Sequence, residues 1–583
     1  SEEGDFQLSC YEITTTGSSL TLDATGNFLL GNGSIVNNTT ITNEGTFTLF
    51  KGTLSGVGSL ISNGKFNFDG SSTKSIVQQR VFINGGGFMN GTGTPRMDNQ
   101  ARITNGPNST FEILSDTPLE LFNNSGLASF VNEGTLVKSG GSGETEIQPG
   151  FASTGTVNVL TGSLRFKNGV VGTSSSGTMI VSPGTGITFV DGSFSFSGLT
   201  FDGNGDISFL TEAVIDVGTS GLQVNSGVNF IHDGSDTEII GEGPIVFDAP
   251  YNWGRGFVSG TGVITANAGI NLYSTNRKVV DGKTIVNNST FDINEGNMRM
   301  DNGGVIVNSP NATFNLNTGT SIGYRAPGGG TINNQGTFNA NAPGPIDAVF
   351  DNASVLNIAG DTLIFTRQLN NQASGIISGD GRLDVSNSGF DNNGVVSPGD
   401  SPGKIIFENN YSQNAGGRLN IELGGTDPGT GYDQIEASQM TLDGTLNISF
   451  INGFFPSLGQ TFEILNYNTR FDTFQTINTP SFGDIPIFDI EYQSDKLLLT
   501  TINDSKISVS MRLYLQGAYT GSGQMSTSLR EQGLIPLEQP YNTAPWNYDG
   551  SEQVTNIPTD VVDWVLFEIR TSTTDVLVRR ASI

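Results

Sequence analysis

The residues of this sequence that could do chemistry are few. The chain has 583 residues and a single histidine, His232, in the segment NFIHDGSDTE. This count excludes multi-histidine zinc sites. With nearby acids the imidazole could form a proton-transfer pair, although a lone histidine among turn residues is more often an ordinary loop residue. Asp202, Asp233, Asp236 and Glu238 are the nearest approach to an acidic cluster. Because the other acids are scattered singly, we expect the chain not to be an enzyme.

One segment has the oxygen-ligand spacing that begins a calcium loop. FDGNGD, residues 201–206, places Asp202, Asn204 and Asp206 at alternating positions. The EF-hand pattern then fails, because Ile207 stands where glycine is required and Ala213 occupies the twelfth loop position. A plain Gly/Asn/Asp turn is the alternative. Weak calcium binding is the one cofactor interaction that the sequence predicts.

A second segment could bind a ligand on its surface. PYNWGRG, residues 250–256, alternates Tyr251, Trp253 and Arg255 on what we expect to be a protruding loop. Flat aromatic rings beside a planar cation can hold sugar rings or peptide. The alternative is that these side chains pack across the lateral face of the fold.

A repeated unit organises the chain as far as about residue 395. Each copy has an apolar residue, an asparagine, a short Gly/Ser/Thr turn and an alternating run headed by Phe, Leu or Val, as in ITNEGTFTL (41–49), LISNGKFNF (60–68), IVNNSTFDI (285–293) and TINNQGTFNA (331–340). Units of 20 to 25 residues with period-two alternation indicate coils of a solenoid. Sandwich repeats and propeller blades are longer. The sequence therefore predicts an all-β fold, a right-handed parallel β-helix of ~17 coils stacked at ~4.8 Å.

The repeat also predicts what lies inside and outside the helix. Six phenylalanines hold the same position in their units and should stack inside as one aromatic ladder: Phe47, Phe66, Phe111, Phe291, Phe314 and Phe338. Asparagines at the turns should stack outside that ladder and exchange amide hydrogen bonds. Between residues 165 and 280 the units are irregular, so we expect protruding loops there.

Composition and charge limit the partners. The chain has 27 basic and 56 acidic residues, a net charge of -29, and 35% hydrophobic residues. An acidic surface repels phosphate backbones and anionic lipid, so we expect neither nucleic-acid binding nor membrane insertion. Cys10 is the single cysteine, which excludes an internal disulfide and suggests a small buried apolar residue in an exported protein.

Residues 395–480 resemble the end of autotransporter-type passengers and related bacterial β-helical surface proteins. The resemblance rests on a PG-x-SPG turn at 398–403, a "G-x-L-x-I-E" strand ending at Glu422, a YD pair at 432–433, an "L-x-G-x-L" hairpin at 442–446 and an "F-x-I-L" strand at 462–465. It implies that residues 395–504 form a β-hairpin cap. An open solenoid end exposes unpaired strand edges and needs such a cover.

Residues 507–570 resemble a module near the C-terminus of large secreted proteins of Bacteroidota. The signatures are LQGAY, IPL-x-QPYN, PWNY-x-G-x-E and VDWVL-x-E-x-R, at 515–519, 535–542, 545–552 and 562–570. In that family the β-rich module continues further and a type IX secretion signal often follows. The chain ends at VRRASI, so the expectation is a truncated module whose sorting signal, read by the secretion machinery, is missing.

These observations predict three domains: a repeat tract at 1–394, a cap at 395–504 and a C-terminal module at 505–583. The expected function is that of a secreted or cell-surface, adhesin-like or structural fibre protein of a Gram-negative bacterium, without catalysis. Its lateral loops would contact extracellular glycans or neighbouring surface proteins, and the rods could self-associate.

There are two alternatives. One is a glycan-active β-helix enzyme (a polysaccharide lyase or hydrolase), and the other is a passive stalk segment of a larger secreted protein. The enzyme alternative predicts a groove with two close carboxylates, or an acid with Arg or Lys.

Overall fold

The computed structural model describes residues 6–8, 12–23, 26–122, 128–170, 172–317, 319–325, 328–341, 343–386, 389–482, 485–503, 513–521, 523–570 and 576–583. The chain divides into two compact units, Ser1–Ser505 and Lys506–Ile583. The first is a parallel β-solenoid, and the one helix in the described part of the chain is the four-residue Ser528–Glu531. The predicted all-β class and β-helix architecture are confirmed. Cys10 lies outside the described residues.

Three faces surround the core of the solenoid, and we number them in chain order within a coil. Face 1 is, within the described residues, one parallel sheet of 19 strands, so there are about two coils more than expected. Its strands are Phe6–Leu8, Asn27–Leu30, Thr46–Leu49, Lys65–Phe68, Gly87–Met89, Thr110–Ile113, Thr135–Lys138, Thr156–Val159, Thr178–Val181, Leu199–Gly203, Leu222–Val224, Ile245–Phe247, Val263–Ala266, Thr284–Asn287, Val305–Asn308, Thr331–Asn334, Val349–Asn352, Leu369–Asn371 and Phe390–Asn392.

Face 2 follows face 1 in each coil. It begins as a six-stranded sheet of Glu12–Thr15, Ser34–Asn37, Gly52–Ser55, Lys74–Val77, Pro95–Asp98 and Glu120–Leu121. It continues through Glu144–Ser153, Ser163–Gly169, Gly186–Phe189, Asp206–Leu210, Asn229–Ile240, Tyr251–Ser259, Ile270–Leu272, Thr290–Ile293, Thr313–Leu316, Thr337–Asn341, Val355–Ile364, Ile376–Asp384, Val395–Pro398, Arg418–Leu423, Thr445–Phe450 and Thr476–Asn478.

Face 3 completes the coil. It holds Leu20–Leu22, Thr40–Asn43, Ser59–Ser62, Arg80–Ile83, Arg102–Asn105, Ser129–Asn132, Ser193–Ser195, Val214–Asp216, Lys278–Asp281, Asn297–Asp301, Ser321–Gly323, Lys404–Ser412, Gln434–Thr441 and Thr461–Phe471. Several long strands bend from face 2 into face 3, among them Asn229–Ile240, Tyr251–Ser259 and Val355–Ile364. The irregular sequence between 165 and 280 thus forms continuous strands in place of the protruding loops that we expected.

The predicted aromatic ladder exists inside the solenoid, but it is two ladders on two faces. Phe47 stacks on Phe66 in face 1, with ring centroids 5.8 Å apart. Phe314 stacks on Phe338 in face 2 at 4.7 Å and packs against Phe291. The expectation of a single ladder is wrong because Phe47, Phe66 and Phe111 lie in face 1 whereas Phe291, Phe314 and Phe338 lie in face 2. Within face 1, Gly87 also pairs with Phe66 and separates it from Phe111.

A ladder of fully buried asparagines runs along the corner between faces 1 and 2. Its members end successive strands of face 1: Asn287, Asn308, Asn334, Asn352, Asn371 and Asn392. Each of the first five donates one Nδ2–H to the Oδ1 of the next member at 2.7–2.9 Å. Each also donates to a backbone carbonyl of the next coil at 2.8–3.1 Å. Each of these five corner carbonyls therefore has a hydrogen-bond donor, so none of them is buried without a partner.

The predicted outer position of the asparagines is wrong for this ladder and correct for a second one. Exposed amides on face 2 and its edge bond from coil to coil in a series that starts at a carboxylate: Asp206, Asn229, Asn252, Asn271, Asn294, Asn317 and Asn341. The inward ladder arises because a corner carbonyl out of reach of water needs a side-chain donor. Sequence periodicity does not distinguish these two positions.

The same sequence unit occupies different corners in the two halves of the solenoid. In the N-terminal coils Asn43 ends a strand of face 3 and Phe47 lies in face 1. From residue 284 onwards Asn287 ends a strand of face 1 and Phe291 lies in face 2. The N-terminal version is shorter and mixed, since Asn105 donates to Asn132 and Asn132 donates to Ser153.

The C-terminal end of the solenoid is closed by antiparallel strands. Parallel coils continue beyond residue 395 as far as Thr476–Asn478. Lys496–Thr501 then pairs antiparallel with Thr461–Phe471 and with Phe488–Tyr492, and a short hairpin, Ser481–Phe482 with Ile485–Pro486, lies beside them. Antiparallel strands thus close this end, but the hairpin predicted at 442–446 is wrong, because that segment is a corner between parallel strands.

The YD and SPG motifs of the closing region meet in space. The buried Asp433 carboxylate accepts the Gly403 N–H at 2.7 Å and the Glu422 N–H at 2.9 Å. Burial outweighs these hydrogen bonds and raises the pKa of Asp433 to about 7. The two motifs therefore fasten consecutive coils to one another at a single carboxylate.

The second unit has a small core. Ile535, Tyr548, Trp564 and Ala581 are buried together, and the Trp564 indole donates to the Pro536 carbonyl at 2.9 Å. Two short antiparallel pairs join Tyr519–Gly521 to Gln524–Met525 and Val565–Arg570 to Val576–Ser582. Its sequence signatures thus supply core residues. In the described part of both units, no helix has the length and apolar character needed to cross a membrane.

The buried ladder should be a main source of stability. Asn334→Ala removes two ladder bonds and leaves neighbouring buried polar groups unpaired, which should lower the free energy of unfolding by about 3 kcal/mol. The matched control is Asn333→Ala, because Asn333 is the preceding residue and points outward. Urea unfolding followed by circular dichroism gives both values. Equal effects of the two variants would contradict a structural role for the ladder.

Candidate functional sites

Tyr251 and Trp253 lie inside the solenoid, so the prediction that they form a surface binding site is wrong. Both have 0% exposed surface and belong to the strand Tyr251–Ser259. Their rings stack at 5.5 Å between centroids, and the His232 ring stacks on Trp253 at 5.7 Å. Alternation along a strand directs Tyr251 and Trp253 to the core and leaves Arg255 half-buried on the outer side. Tyr251 and Trp253 therefore pack within the core, and not across the lateral face as the alternative for this segment proposed.

His232 is a buried member of the same cluster. Its Nδ1 lies 2.8 Å from the Tyr251 hydroxyl and its Nε2 lies 3.3 Å from the Thr237 carbonyl oxygen. A carbonyl only accepts, so Nε2 carries the proton and the tyrosine hydroxyl donates to Nδ1. Burial lowers the pKa of His232 to about 4, and the Thr237 hydrogen bond opposes this shift. The imidazole is neutral at physiological pH.

The acids near His232 in sequence point away from it. The Asp233 carboxylate accepts the Tyr273 hydroxyl at 3.2 Å, and Glu238 accepts a short hydrogen bond from the Ser259 hydroxyl. Both hydrogen bonds of His232 go to Tyr251 and Thr237 instead. The strand alternates its side chains between the core and the outer side, which separates the histidine from its sequence neighbours.

The calcium candidate spans the corner between faces 1 and 2. Asp202 is the last residue but one of the face 1 strand Leu199–Gly203 and accepts the Gly203 N–H at 2.9 Å. Asp206 begins a strand of face 2 and accepts the Asn229 amide at 2.9 Å. Asn204 lies between them and is exposed. No group of three His, Cys, Asp or Glu side chains suited to a metal ion occurs in the described ranges. Calcium binding at these oxygen ligands stays a prediction.

A polar groove of about 510 Å³ lies on face 3 near the closed end. One row of paired residues crosses it from strand to strand: Arg382, Ile406, Glu436, Asn466 and Lys496. Between Phe407 and Asn410 the strand Lys404–Ser412 has a bulge against its neighbour, Gln434–Thr441. A bulge bends a strand and redirects its side chains, which accounts for the concavity and for Glu408 on its wall.

The charges in the groove are paired. Glu436 accepts from Lys404 at 2.6 Å, Glu463 accepts from Lys496 at 2.6 Å, and Glu408 pairs with Arg382. The hydrogen bond to Glu463 raises the pKa of Lys496. With Asn466 and Asn468 on the same wall, the groove offers closely spaced donors and acceptors that suit a hydroxyl-rich ligand.

Sequence analysis missed this groove because its acids are far apart along the chain. Glu408, Glu436 and Glu463 lie in three successive coils, one acid in each. A spacing of about one coil between outward-facing acids was the available signal. Using it requires the strand register, which the sequence alone does not provide.

Comparison of the sequence with protein families and curated proteins found no match. The chain matches no protein-family model, and no curated protein matches its sequence.

His232 should make stability depend on pH. The unfolded chain binds a proton at the histidine with a pKa near 6.5, whereas the folded chain does so only near 4. The unfolded state therefore gains a proton first as the pH falls, and the free energy of unfolding should drop by about 3 kcal/mol between pH 6.5 and 4.

The contribution of His232 is best isolated by comparing variants. Asp433 acts in the opposite direction, because its raised pKa makes the fold more stable as the pH falls from about 7 towards 4. Urea unfolding at several pH values should therefore show a weaker acid destabilisation in His232→Phe and a stronger one in Asp433→Asn than in the unaltered chain. Parallel pH profiles for the unaltered chain and His232→Phe would contradict the assignment.

Trp253 should support the fold. Trp253→Ala removes the largest fully buried side chain and should lower the free energy of unfolding by about 3–5 kcal/mol. Arg255→Ala, two residues away and half-buried, should change it by less than about 1 kcal/mol. Thermal unfolding of both variants provides the measurement, and a Trp253→Ala chain as stable as the parent would be inconsistent with this packing.

Proposed function

We propose that this chain is a secreted or cell-surface bacterial rod that serves as an adhesin-like or structural fibre component and catalyses no reaction. The β-solenoid fold is compatible with such a role. The observation that carries the proposal is the continuous stack of coils, in which inward positions are filled by aromatic and asparagine ladders and the last coils are closed by antiparallel strands. The residues that remain available for partners lie on long lateral faces.

The proposed mechanism is mechanical and multivalent. A stiff solenoid presents similar groups once per coil, so many weak contacts can act together through effective concentration. A net charge of -29 keeps the chain soluble and directs it towards uncharged or cationic partners. Extracellular glycans and neighbouring surface proteins are the partners that we propose, with weak calcium binding at Asp202, Asn204 and Asp206 as an addition.

The proposed location is outside the cell or on the outer surface of a Gram-negative bacterium. Two sequence resemblances support it, the passenger-type segment at 395–480 and the Bacteroidota-type module at 507–570. The buried Asp433 bond and the Trp564 core give those motifs structural roles. Export through type IX secretion belongs to the same proposal.

The groove on face 3 favours one second candidate, a glycan-active enzyme. It contains four carboxylates, those of Glu408, Glu436, Glu463 and Asp495, together with Arg382 and Lys496, which is the arrangement that the enzyme alternative predicts. Against it, a general acid must be protonated, and an adjacent cation favours the ionised carboxylate. We therefore rank binding above catalysis for this groove.

One experiment separates these functions. The purified chain is applied to a glycan array and to whole bacterial cells, with calcium and with a chelator, and released sugar is assayed in the same samples. We expect binding without release. Release that disappears in Glu436→Gln and Glu463→Gln, but persists in Glu120→Gln, would establish the enzyme instead. Glu120 is a suitable control because it is also ion-paired, to Arg96 at 2.9 Å, and half-buried.

Two further outcomes of this experiment are informative. Binding that the groove variants abolish would assign recognition to the groove, and binding that they leave intact would assign it to another lateral surface. If the chain shows no binding and releases no sugar, the adhesive role is overturned and a passive stalk segment of a longer protein is favoured.

A further inference from the structure

Face 2 has a strip of uncharged residues near the middle of the asparagine-rich half of the solenoid. The strip consists of the outward residues of five consecutive strands, in two columns. One column is β-branched: Thr313, Thr337, Val355, Ile376 and Val395. The other is small and polar: Asn315, Asn339, Asn357, Ser378 and Ser397. Ile376 is 37% exposed, and Val355 and Val395 are half-buried.

The strip is flanked by opposite charges at equal distances from its centre. Its central strand is Val355–Ile364. Three strands before it, Asp292 lies next to the strip, and three strands after it, Arg418 does. Asp380 borders one edge. The arrangement is thus neutral in the middle, acidic at one end and basic at the other.

We propose that this strip is the contact surface of an antiparallel homodimer, in which face 2 of one copy packs on face 2 of a second copy. A twofold axis along Val355–Ile364 would bring Asp292 of each copy against the strand that holds Arg418 in the other, two residues along that strand from Arg418, because Asp292 lies in the column of Asn315 and Arg418 in the column of Val395. Such an isologous contact uses the same patch twice and closes on itself. The inference rests on the proposed structural role and specifies one partner for it.

A second copy suits this surface better than an unrelated ligand for two reasons. The first is spacing, because both copies repeat at the same strand spacing of ~4.8 Å, so every coil can meet a coil in register. The second is chemistry. Amide groups are both donors and acceptors and can pair with their own kind, and the β-branched column supplies apolar surface to bury.

Charge also favours the strip as the place where two copies meet. Each copy carries a net charge of -29, so most side-by-side contacts would bring acidic surfaces together. The strip avoids this repulsion in its centre, and the antiparallel arrangement converts its ends into two attractive pairs. A parallel arrangement would place Asp292 against Asp292 and Arg418 against Arg418.

The size of the surface sets the strength of the association. Seven strands at ~4.8 Å and four residues at ~3.4 Å give a patch of about 400 Å² per copy, or about 800–900 Å² in total. This is below the roughly 1,000 Å² expected of a stable specific interface. The dimer should therefore be weak and should form only at raised concentration or where chains are crowded on a surface.

The first test compares one strip residue with a matched residue on face 1. Ile376→Asp puts a charge in the strip, whereas Val263→Asp puts the same charge at a β-branched residue of similar exposure, 39%. Sedimentation of the full chain over a hundredfold range of concentration should show dimerisation. Ile376→Asp should weaken it at least about tenfold while Val263→Asp should not. Monomers at every concentration, or equal effects of both variants, would overturn the proposal.

The second test addresses the antiparallel geometry. Asp292→Arg and Arg418→Asp should each weaken the dimer, since each puts like charges near one another, and the double variant should restore it. Circular dichroism checks that each variant remains folded, because Asp292 also accepts a hydrogen bond from Asn315 at 2.7 Å. A double variant no tighter than either single variant would rule out this pairing.

The outcomes of these tests distinguish a failure of the dimer proposal from a failure of the proposed function. A chain that binds glycans but stays monomeric would refute the dimer and leave the adhesive role in place. A chain that dimerises through the strip but binds neither glycans nor cells would support the dimer and limit the function to structure. Loss of glycan binding in Ile376→Asp, without any dimer in the parent chain, would assign the strip to polysaccharide and refute the homodimer.

Discussion

The C-terminal half of the solenoid depends on hydrogen bonding between side-chain amides of successive coils. At the corner between faces 1 and 2, each buried asparagine from Asn287 to Asn371 uses one N–H for the next asparagine and the other for a carbonyl of the next coil. A corner that turns inside the protein has backbone carbonyls that neither sheet nor water can reach, and an unpaired carbonyl is costly. The ladder satisfies them once per coil. It also requires each corner to lie directly above the last, which keeps the strands of three faces in register.

The unbroken register of face 1 explains how long strands and irregular coils are tolerated. Where the chain runs from face 2 to face 3 without a break, as in Asn229–Ile240, the register shifts within the long strand while the strands of face 1 remain aligned. The core at this point is filled by the stacked rings of His232, Tyr251 and Trp253 in place of phenylalanines. The coil can therefore change shape and core chemistry locally, because the regular pairing of face 1 still holds it to its neighbours.

The arrangement of side chains on the outer surface follows from the same stacking of coils in register. Side chains that point outward recur at the strand spacing, so a residue type repeated in sequence becomes a column on the surface. Acids, one in each of three successive coils, form the paired groove on face 3, and asparagine, serine and β-branched residues form the uncharged strip on face 2. In a chain with a net charge of -29 these two surfaces are distinct. The groove suits a hydroxyl-rich ligand, and the strip suits a copy of the chain.

The sequence by itself determined the fold class, because a unit of 20 to 25 residues with strict alternation can bury its apolar side only by stacking on copies of itself. Its motifs between residues 395 and 480 also contain a structural contact, because Asp433 and Gly403 form a hydrogen bond. It did not determine which side chains point inward. Alternation fixes two sides of a strand but not which side is the core, so Tyr251 and Trp253 were expected on the surface and the buried asparagines outside the core.

Only the tertiary structure decided the sites. The corner at which the repeat turns changes between Asn43 and Asn287 although the sequence pattern is the same. Lys74, Lys138, Lys278 and Lys283 are fully buried because their ammonium groups reach corner carbonyls, which no local pattern indicates. Glu408, Glu436 and Glu463 form one wall only because three coils stack in a particular register. Register is set by contacts between residues 20 to 30 positions apart, and those contacts exist only in the folded chain.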